Sequence, residues 1–106
     1  MSKPEDMLAL QLDALSIPYE REVKVIPDRQ YRWDFRLRGT ALLIEVQGGI
    51  WQKGGHSTGA GITRDCRKQS LAAVYGWHVL LVTTAMIESG EAIGYVQKYL
   101  EYEPEF

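Results

Sequence analysis

Cysteine and histidine are scarce in this chain of 106 residues, which has one cysteine and two histidines. A single cysteine excludes an internal disulfide, and two histidines beside it are too few to favour a structural zinc site. We therefore expect Cys66 to be a small buried apolar residue on a helix.

Long apolar runs are also missing from the sequence. No stretch approaches the roughly 20 apolar residues that a helix needs to span a membrane. The first residues, Met1–Asp6, lack the apolar run of a secretion signal, so we expect a cytoplasmic protein with no membrane partner. At this length we expect one domain, residues 1–106, whose core needs no disulfide or metal to be stable.

The net charge of −2 conceals an uneven distribution of charge along the sequence. Residues 1–20 hold one basic and four acidic residues, residues 21–68 hold ten and five, and residues 69–106 hold one and five. The three segments therefore carry −3, +5 and −4. A basic central block is typical of proteins that contact a phosphate backbone. An ordinary solvated sheet with exposed arginines gives the same pattern, so charge does not decide between the two.

The order of periodic segments predicts an αβββαβα arrangement with no internal repeat and no linker. Leu8, Leu12 and Leu15 recur at helical spacing, and Ile17-Pro18 ends that first helix. Alternating patterns then predict three strands, at residues 19–26, 31–38 and 41–47.

The second half of the chain completes the predicted fold. Residues 48–61 contain six glycines, too many for a regular element, and a helix is predicted at residues 62–75 with Gly76 as its end. A buried strand at residues 77–83 and a last helix broken near Gly90 follow. Because a helix separates the third and fourth strands, the fourth can join parallel to a neighbour through a right-handed crossover. The expected fold class is α/β, with a mixed four-stranded sheet flanked by helices.

Asp34 and Glu45 are the most informative residues, because the predicted hairpin brings them together. If Gly39 and Thr40 form a two-residue turn, Asp34 lies directly opposite Glu45. Two like charges with β-carbons about 5 Å apart weaken a hairpin unless something neutralises them, and a divalent cation would do so. The same register places six residues on an apolar side suited to a core: Trp33, Phe35, Leu37, Leu42, Ile44 and Val46.

Basic neighbours offer an alternative explanation of the acidic pair. Arg32, Arg36 and Arg38 could neutralise the two acids on an exposed sheet face without any function. Against this, Glu45 is enclosed by apolar residues in a strand expected to be central, where a carboxylate needs a partner.

These residues resemble a known nuclease superfamily. Asp34 followed by Glu45-Val46-Gln47 resembles the motif of the PD-(D/E)xK nucleases. The segments that follow are similar to the compact branch found in phage endonucleases and related to very-short-patch-repair endonucleases: Glu45–Trp51, Gly55-His56, Gly59–Gly61, Asp65, Lys68 and Gly76–Val79. The resemblance implies a single restriction-endonuclease-like domain that hydrolyses DNA.

The resemblance also implies a metal site. Asp34 and Glu45 would bind Mg²⁺, for which Mn²⁺ can substitute, and the backbone carbonyl of Val46 would be a further oxygen ligand. Gln47 stands where the superfamily motif has lysine, and it can hydrogen-bond a water but carries no positive charge. Lys68, from the following helix, could project to the same place as a relocated lysine.

Supporting residues are each open to two interpretations. His56 is a candidate general acid or base, or a loop histidine bonded to backbone. Asp65 would orient His56 or Lys68, or would only favour the helix dipole as an acid in the first turn. Trp51 could stack on an unpaired base or pack against the domain or a second subunit, and Trp33 and Trp77 are expected in the core. The candidate DNA-binding residues are Arg32, Arg36, Trp51, Lys53, Arg64 and Arg67.

The predicted function is therefore that of a Mg²⁺-dependent DNA endonuclease of a phage or bacterium. Branched DNA or intermediates of repair, recombination or packaging would be its substrates. One active site cuts one strand, so double-strand or junction cleavage would require a homodimer. Two alternatives remain: an inactive nucleic-acid-binding module of the same fold, suggested by Gln47, and an interaction protein with acidic termini. The last predicts no salt-dependent affinity for DNA.

Overall fold

The computed structural model describes residues 3–47 and 59–102. Their elements are, in chain order, α1 (Lys3–Ala14), β1 (Tyr19–Val23), β2 (Trp33–Leu37), β3 (Leu42–Gln47), α2 (Gly59–Val74), β4 (His78–Thr83), α3 (Thr84–Ser89) and α4 (Glu91–Glu101). The strands form one sheet in the order β1-β2-β3-β4, antiparallel except that β4 runs parallel to β3. This confirms the α/β fold with a mixed four-stranded sheet flanked by helices. None of the described helices is long and apolar enough to cross a membrane.

One side of the sheet packs against α1, α3 and α4. Leu8 and Leu12 of α1 are fully buried there, as their helical spacing predicts. Leu15 is 44% exposed because α1 ends at Ala14, where the amide of Ile17 donates to the carbonyl of Leu12 at 3.0 Å. The core on this side also contains Phe35, Leu37, Leu42, Ile44, Val46, Val82, Ile87, Ala92 and Val96.

The other side of the sheet packs against α2, and its buried residues are Ile26, Trp33, Leu43 and Ala72. Trp33 is fully buried as predicted, but it does not share a side with Phe35 and Leu37. The backbone is irregular nearby, because Glu22 in β1, between the pairs Arg21–Phe35 and Val23–Trp33, has a left-handed φ of 53°. Val23 and Trp33 both pack on the α2 side.

The hairpin of β2 and β3 has the predicted register but a different turn. Phe35 pairs with Ile44, and Arg36 pairs with Leu43. Four residues separate the strands, and Gly39 has a φ of 79°. The wider loop is stabilised by Thr40, whose amide and hydroxyl donate to the carbonyl of Leu37 at 3.2 and 2.8 Å. Loops of two and four residues are both centred on the same position, so they give the same register.

Two glycines predicted to lie outside any regular element belong to α2. The helix begins at Gly59 rather than at residue 62, so Gly59 and Gly61 are helical. Its end is as predicted: Gly76 has a φ of 86°, and the amide of Trp77 donates to the carbonyl of Ala72 at 2.8 Å.

The predictions of a buried fourth strand and a buried Cys66 are wrong. β4 lies at one edge of the sheet, where Leu81 is 45% exposed, and β2 and β3 are the two inner strands. Cys66 lies on α2 but is exposed, because it precedes the inward-facing Lys68 by two residues, about 200° around the helix. The last helix is interrupted as predicted, with Gly90 in a left-handed conformation between α3 and α4.

Candidate active site

The acidic pair lies at one end of the β2–β3 hairpin. The observed register, extended by one residue from Phe35–Ile44, sets Asp34 opposite Glu45. Asp34 is held by a hydrogen bond from the backbone amide of Val46, with 2.7 Å between the nitrogen and Oδ2. Such a charge-assisted bond fixes the orientation of the carboxylate. The arrangement predicted from the turn is therefore present, although the turn itself differs.

The surroundings of Glu45 disfavour the charged form of its carboxylate. Burial raises its pKa above 4.5; the charges of Asp34 and Glu5 act in the same direction, and Lys68 opposes them. Its Oε1 atom is buried and has no hydrogen-bond partner among the described residues. A buried, unpaired carboxylate oxygen costs free energy, so this position favours a bound cation.

Lys68 is brought to Glu45 from α2, as the sequence suggested. Its Nζ lies 3.2 Å from Oε2 of Glu45, and its side chain is 15% exposed. The same nitrogen lies 4.8 Å from the centroid of the Trp33 ring. A cation over an indole face is stabilised by the ring, so two partners hold this ammonium group.

Glu5 is a third carboxylate of the candidate site, and it was not predicted from the sequence. Burial raises its pKa, and the neighbouring charge of Asp34, together with a hydrogen bond between the two side chains, acts in the same direction. Arg21 opposes this shift, with Nη2 3.7 Å from Oε1 of Glu5. The sequence contained a signal, because Glu5 precedes the buried Leu8 and Leu12 by three and seven residues and so lies on the same face of α1.

Three acidic side chains therefore meet at this end of the sheet, each from a different element. Within residues 3–47 and 59–102, no group of three or more His, Cys, Asp or Glu side chains has the geometry to hold a metal ion. Asp34 and Glu45, on adjacent strands, remain the carboxylates best placed to share one. Glu5 is paired with Arg21, and its charge also acts on Glu45.

The neighbouring arginines pair with other acids. Arg32 lies 3.4 Å from Glu22, and Arg36 and Arg38 lie 3.6 and 3.8 Å from Glu20. Arg36 also donates to the carbonyl of Thr40 and stacks on the ring of Trp77. The three arginines are thus engaged with Glu20 and Glu22, and the acidic pair has Lys68 as its basic neighbour.

The remaining predicted residues fall into two groups. Gln47 ends β3 and is exposed, and Arg64, Arg67 and Asp65 are exposed on α2. Because α2 begins at Gly59, Asp65 lies beyond its first turn, so the interpretation of Asp65 as a first-turn acid is wrong. Trp51, Lys53 and His56 lie outside the described residues.

Comparisons with known proteins support the fold. No protein-family model matches the chain. No curated protein matches it either. Among solved structures, the catalytic domain of the homing endonuclease I-Bth0305I is similar, with a TM-score of 0.66 and 24% sequence identity. The alignment covers 95% of this chain and 92% of that one. At this identity the likeness establishes a shared fold.

Proposed function

We propose that this chain is a DNA endonuclease that hydrolyses phosphodiester bonds. One observation carries the proposal: Asp34 faces Glu45 on the central strands, and Lys68 contacts Glu45. The likeness to the catalytic domain of a homing endonuclease supports the same reaction class, because the two chains share their fold over nearly their whole lengths.

A divalent cation, Mg²⁺ or Mn²⁺, fits the residues of the site. Asp34 and Glu45 would hold it, and the buried Oε1 of Glu45 lacks a partner among the described residues. In an antiparallel strand, the N–H and C=O groups of one residue point to the same neighbouring strand. The amide of Val46 donates to Asp34, so the carbonyl of Val46 also points towards the acidic pair and would be the third oxygen ligand. The cation would supply Lewis-acid activation of water and neutralise charge that develops on the phosphate.

Other residues would complete the chemistry. Lys68 would supply the positive charge that the superfamily lysine supplies elsewhere, since Gln47 cannot carry one. Gln47 follows Glu45 by two residues on the same side of β3, so it could orient a water. His56 is proposed as a general acid or base near neutral pH, and Asp65 as its supporting residue.

Exposed basic residues would contact the DNA backbone. Arg64 and Arg67 are exposed on α2, next to the Lys68 that reaches the acidic pair. Lys53 and Trp51 are proposed contacts on the segment between β3 and α2. Arg32 is exposed and could exchange Glu22 for a phosphate, whereas Arg36 is held by Glu20, Thr40 and Trp77 and is the weakest candidate.

The biological setting follows from the resemblance of the sequence motifs. We propose a PD-(D/E)xK nuclease of the compact phage type, related to very-short-patch-repair endonucleases and acting in the cytoplasm of a bacterium. Its substrates would be branched DNA or repair, recombination or packaging intermediates. Cleavage of both strands would require a homodimer, because one site cuts one strand.

Gln47 favours a second candidate function. A domain that has exchanged the motif lysine for a neutral side chain could bind nucleic acid without hydrolysing it. This candidate predicts DNA binding that tolerates removal of divalent cations and no cut product with any of them.

The test is incubation of the purified chain with end-labelled linear, single-stranded, flapped and four-way-junction DNA, with Mg²⁺, with Mn²⁺ and with EDTA. We expect cut products that require the cation, and the preferred DNA would identify the substrate class. Binding of these DNAs without any cut product would support the second candidate instead. An absence of both binding and cleavage would contradict the proposed function.

A further inference from the structure

We infer that Lys68 takes the place of the divalent cation at Glu45 while none is bound, and that cation binding releases Lys68 from this carboxylate. The inference rests on the proposed function and adds a regulatory step to the same site. It concerns how the positive charge of Lys68 becomes available to a DNA phosphate.

The ammonium group of Lys68 contacts a carboxylate oxygen that a divalent cation would need as a ligand. Nζ of Lys68 lies 3.2 Å from Oε2 of Glu45, and their side chains are 15% and 23% exposed. Oε2 is therefore occupied, whereas Oε1 is buried without a partner among the described residues. A divalent cation on this carboxylate would lie close to the ammonium group. The two charges would repel each other strongly, because both side chains are largely shielded from water. The two cations therefore compete for Glu45.

Lys68 has a second partner that does not compete with the cation. The ring of the fully buried Trp33 lies 4.8 Å from Nζ, and an indole face stabilises an ammonium group without a carboxylate. The helix itself need not move, because Ala72, one turn further along α2, is anchored in the core. Rotation about the side-chain bonds of Lys68 is sufficient to break the ion pair.

Release of Lys68 would couple cation binding to catalysis. While Lys68 is paired with Glu45, its charge is neutralised and unavailable to a phosphate. Once the cation has replaced it, the lysine becomes available beside Gln47, where the superfamily motif has its own lysine. The apparent affinity for the cation then equals the intrinsic affinity multiplied by the fraction of time that Glu45 is free of Lys68.

The experiment measures Mn²⁺ binding to the full chain by calorimetry without DNA, in wild type and in Lys68→Met and Lys68→Arg variants. We expect Lys68→Met to bind Mn²⁺ roughly five-fold more tightly, since the competing charge is gone. Lys68→Arg should bind no more tightly than wild type, since a guanidinium still pairs with Glu45. Lys68→Met should at the same time cut DNA more slowly.

Lys98→Met is the matched control, because it makes the same substitution at an exposed lysine on α4, outside the site. Its affinity for Mn²⁺ should equal that of wild type. Thermal unfolding of each variant verifies that it is folded, and Lys68→Gln replaces Lys68→Met if the latter is not.

Two results overturn the inference: unchanged or weaker Mn²⁺ binding by the Lys68→Met variant, or equal tightening by Lys98→Met, which would indicate a general charge effect. A wild-type chain that binds no Mn²⁺ overturns it as well. A wild-type chain that binds Mn²⁺ but cuts no DNA contradicts the proposed function. In that case the Mn²⁺ affinities of wild type and the Lys68 variants still test the inference about Lys68.

Discussion

Asp34 accepts a hydrogen bond from the backbone amide of Val46, with 2.7 Å between Oδ2 and the nitrogen, so one acid of the pair is bonded to the strand that carries the other. The bond ties the stability of the hairpin to the site. It also gives Asp34 a structural role that the sequence did not reveal.

Asp34→Ala should therefore destabilise the protein. The amide of Val46 would lose its acceptor, and an unpaired, partly buried backbone donor costs about 1–3 kcal/mol. Asp34→Asn should cost less, because its carbonyl oxygen can still accept the bond. Urea unfolding without divalent cations measures both values. Equal stability of Asp34→Ala and wild type would contradict the structural role of this bond.

Glu45→Gln should stabilise the protein at neutral pH in the absence of divalent cations. The pKa of Glu45 is raised by burial, so its ionisation reduces stability as the pH rises above 4.5 and through the raised value. Glutamine cannot ionise and avoids this loss. Thermal unfolding across pH should show no difference well below pH 4.5, where the carboxyl is protonated in both states, and an advantage for Glu45→Gln that grows as the pH rises through 4.5. An advantage that shrank with rising pH would contradict this reasoning.

Glu5 and Asp6 provide a matched pair for testing the third carboxylate. Both lie in the first turn of α1 and both pair with Arg21, at 3.7 and 3.5 Å, but the charge of Asp34 also acts on Glu5, whose pKa it raises. Glu5→Gln should reduce the cleavage rate by about ten-fold, equivalent to about 1.4 kcal/mol, because the site loses a negative charge that acts on Glu45 and would help to attract a divalent cation. Asp6→Asn should stay within about two-fold of wild type, since loss of an exposed ion pair costs little. Similar cleavage rates for the two variants would show that Glu5 does not contribute to the site.

Gln47→Lys should rescue a chain that lacks Lys68. Gln47 and Glu45 lie on the same side of β3, so a lysine at residue 47 can bring positive charge to the position of the superfamily lysine. Lys68→Met should cut DNA slowly, and the double variant with Gln47→Lys should recover about ten-fold in rate, a partial recovery because residue 47 is exposed and water screens its charge. A double variant as slow as Lys68→Met would show that Lys68 does not act as a relocated lysine.

Short-range patterns predicted most of the fold. Strand alternation gave the β2–β3 register, and the glycines at residues 76 and 90 gave the helix ends, because each depends on neighbouring residues. Trp33 packs on the α2 side, against the alternation of β2, and the left-handed backbone of the nearby Glu22 has no sequence signature. The exposure of Cys66 depended on which face of α2 packs against the sheet. The helix has few apolar residues, so its sequence does not indicate that face.

The geometry of the candidate site was predictable in part. The hairpin predicted that Asp34 lies opposite Glu45, and a resemblance to a motif position suggested that Lys68 projects towards them; their roles remain proposals. Glu5 was missed because it reaches Asp34 only through the packing of α1 on the sheet, and its place in the first helical turn had a sufficient explanation in the helix dipole.

The central claim is that the acidic pair on β2 and β3 cuts DNA, and the most direct measurement is the single-turnover cleavage rate of Glu45→Gln with saturating Mg²⁺. The matched control is Glu101→Gln, an isosteric change at an exposed glutamate on α4. We predict no detectable cleavage by Glu45→Gln and an unchanged rate for Glu101→Gln, with both variants folded. Cleavage by Glu45→Gln at the wild-type rate would contradict the account.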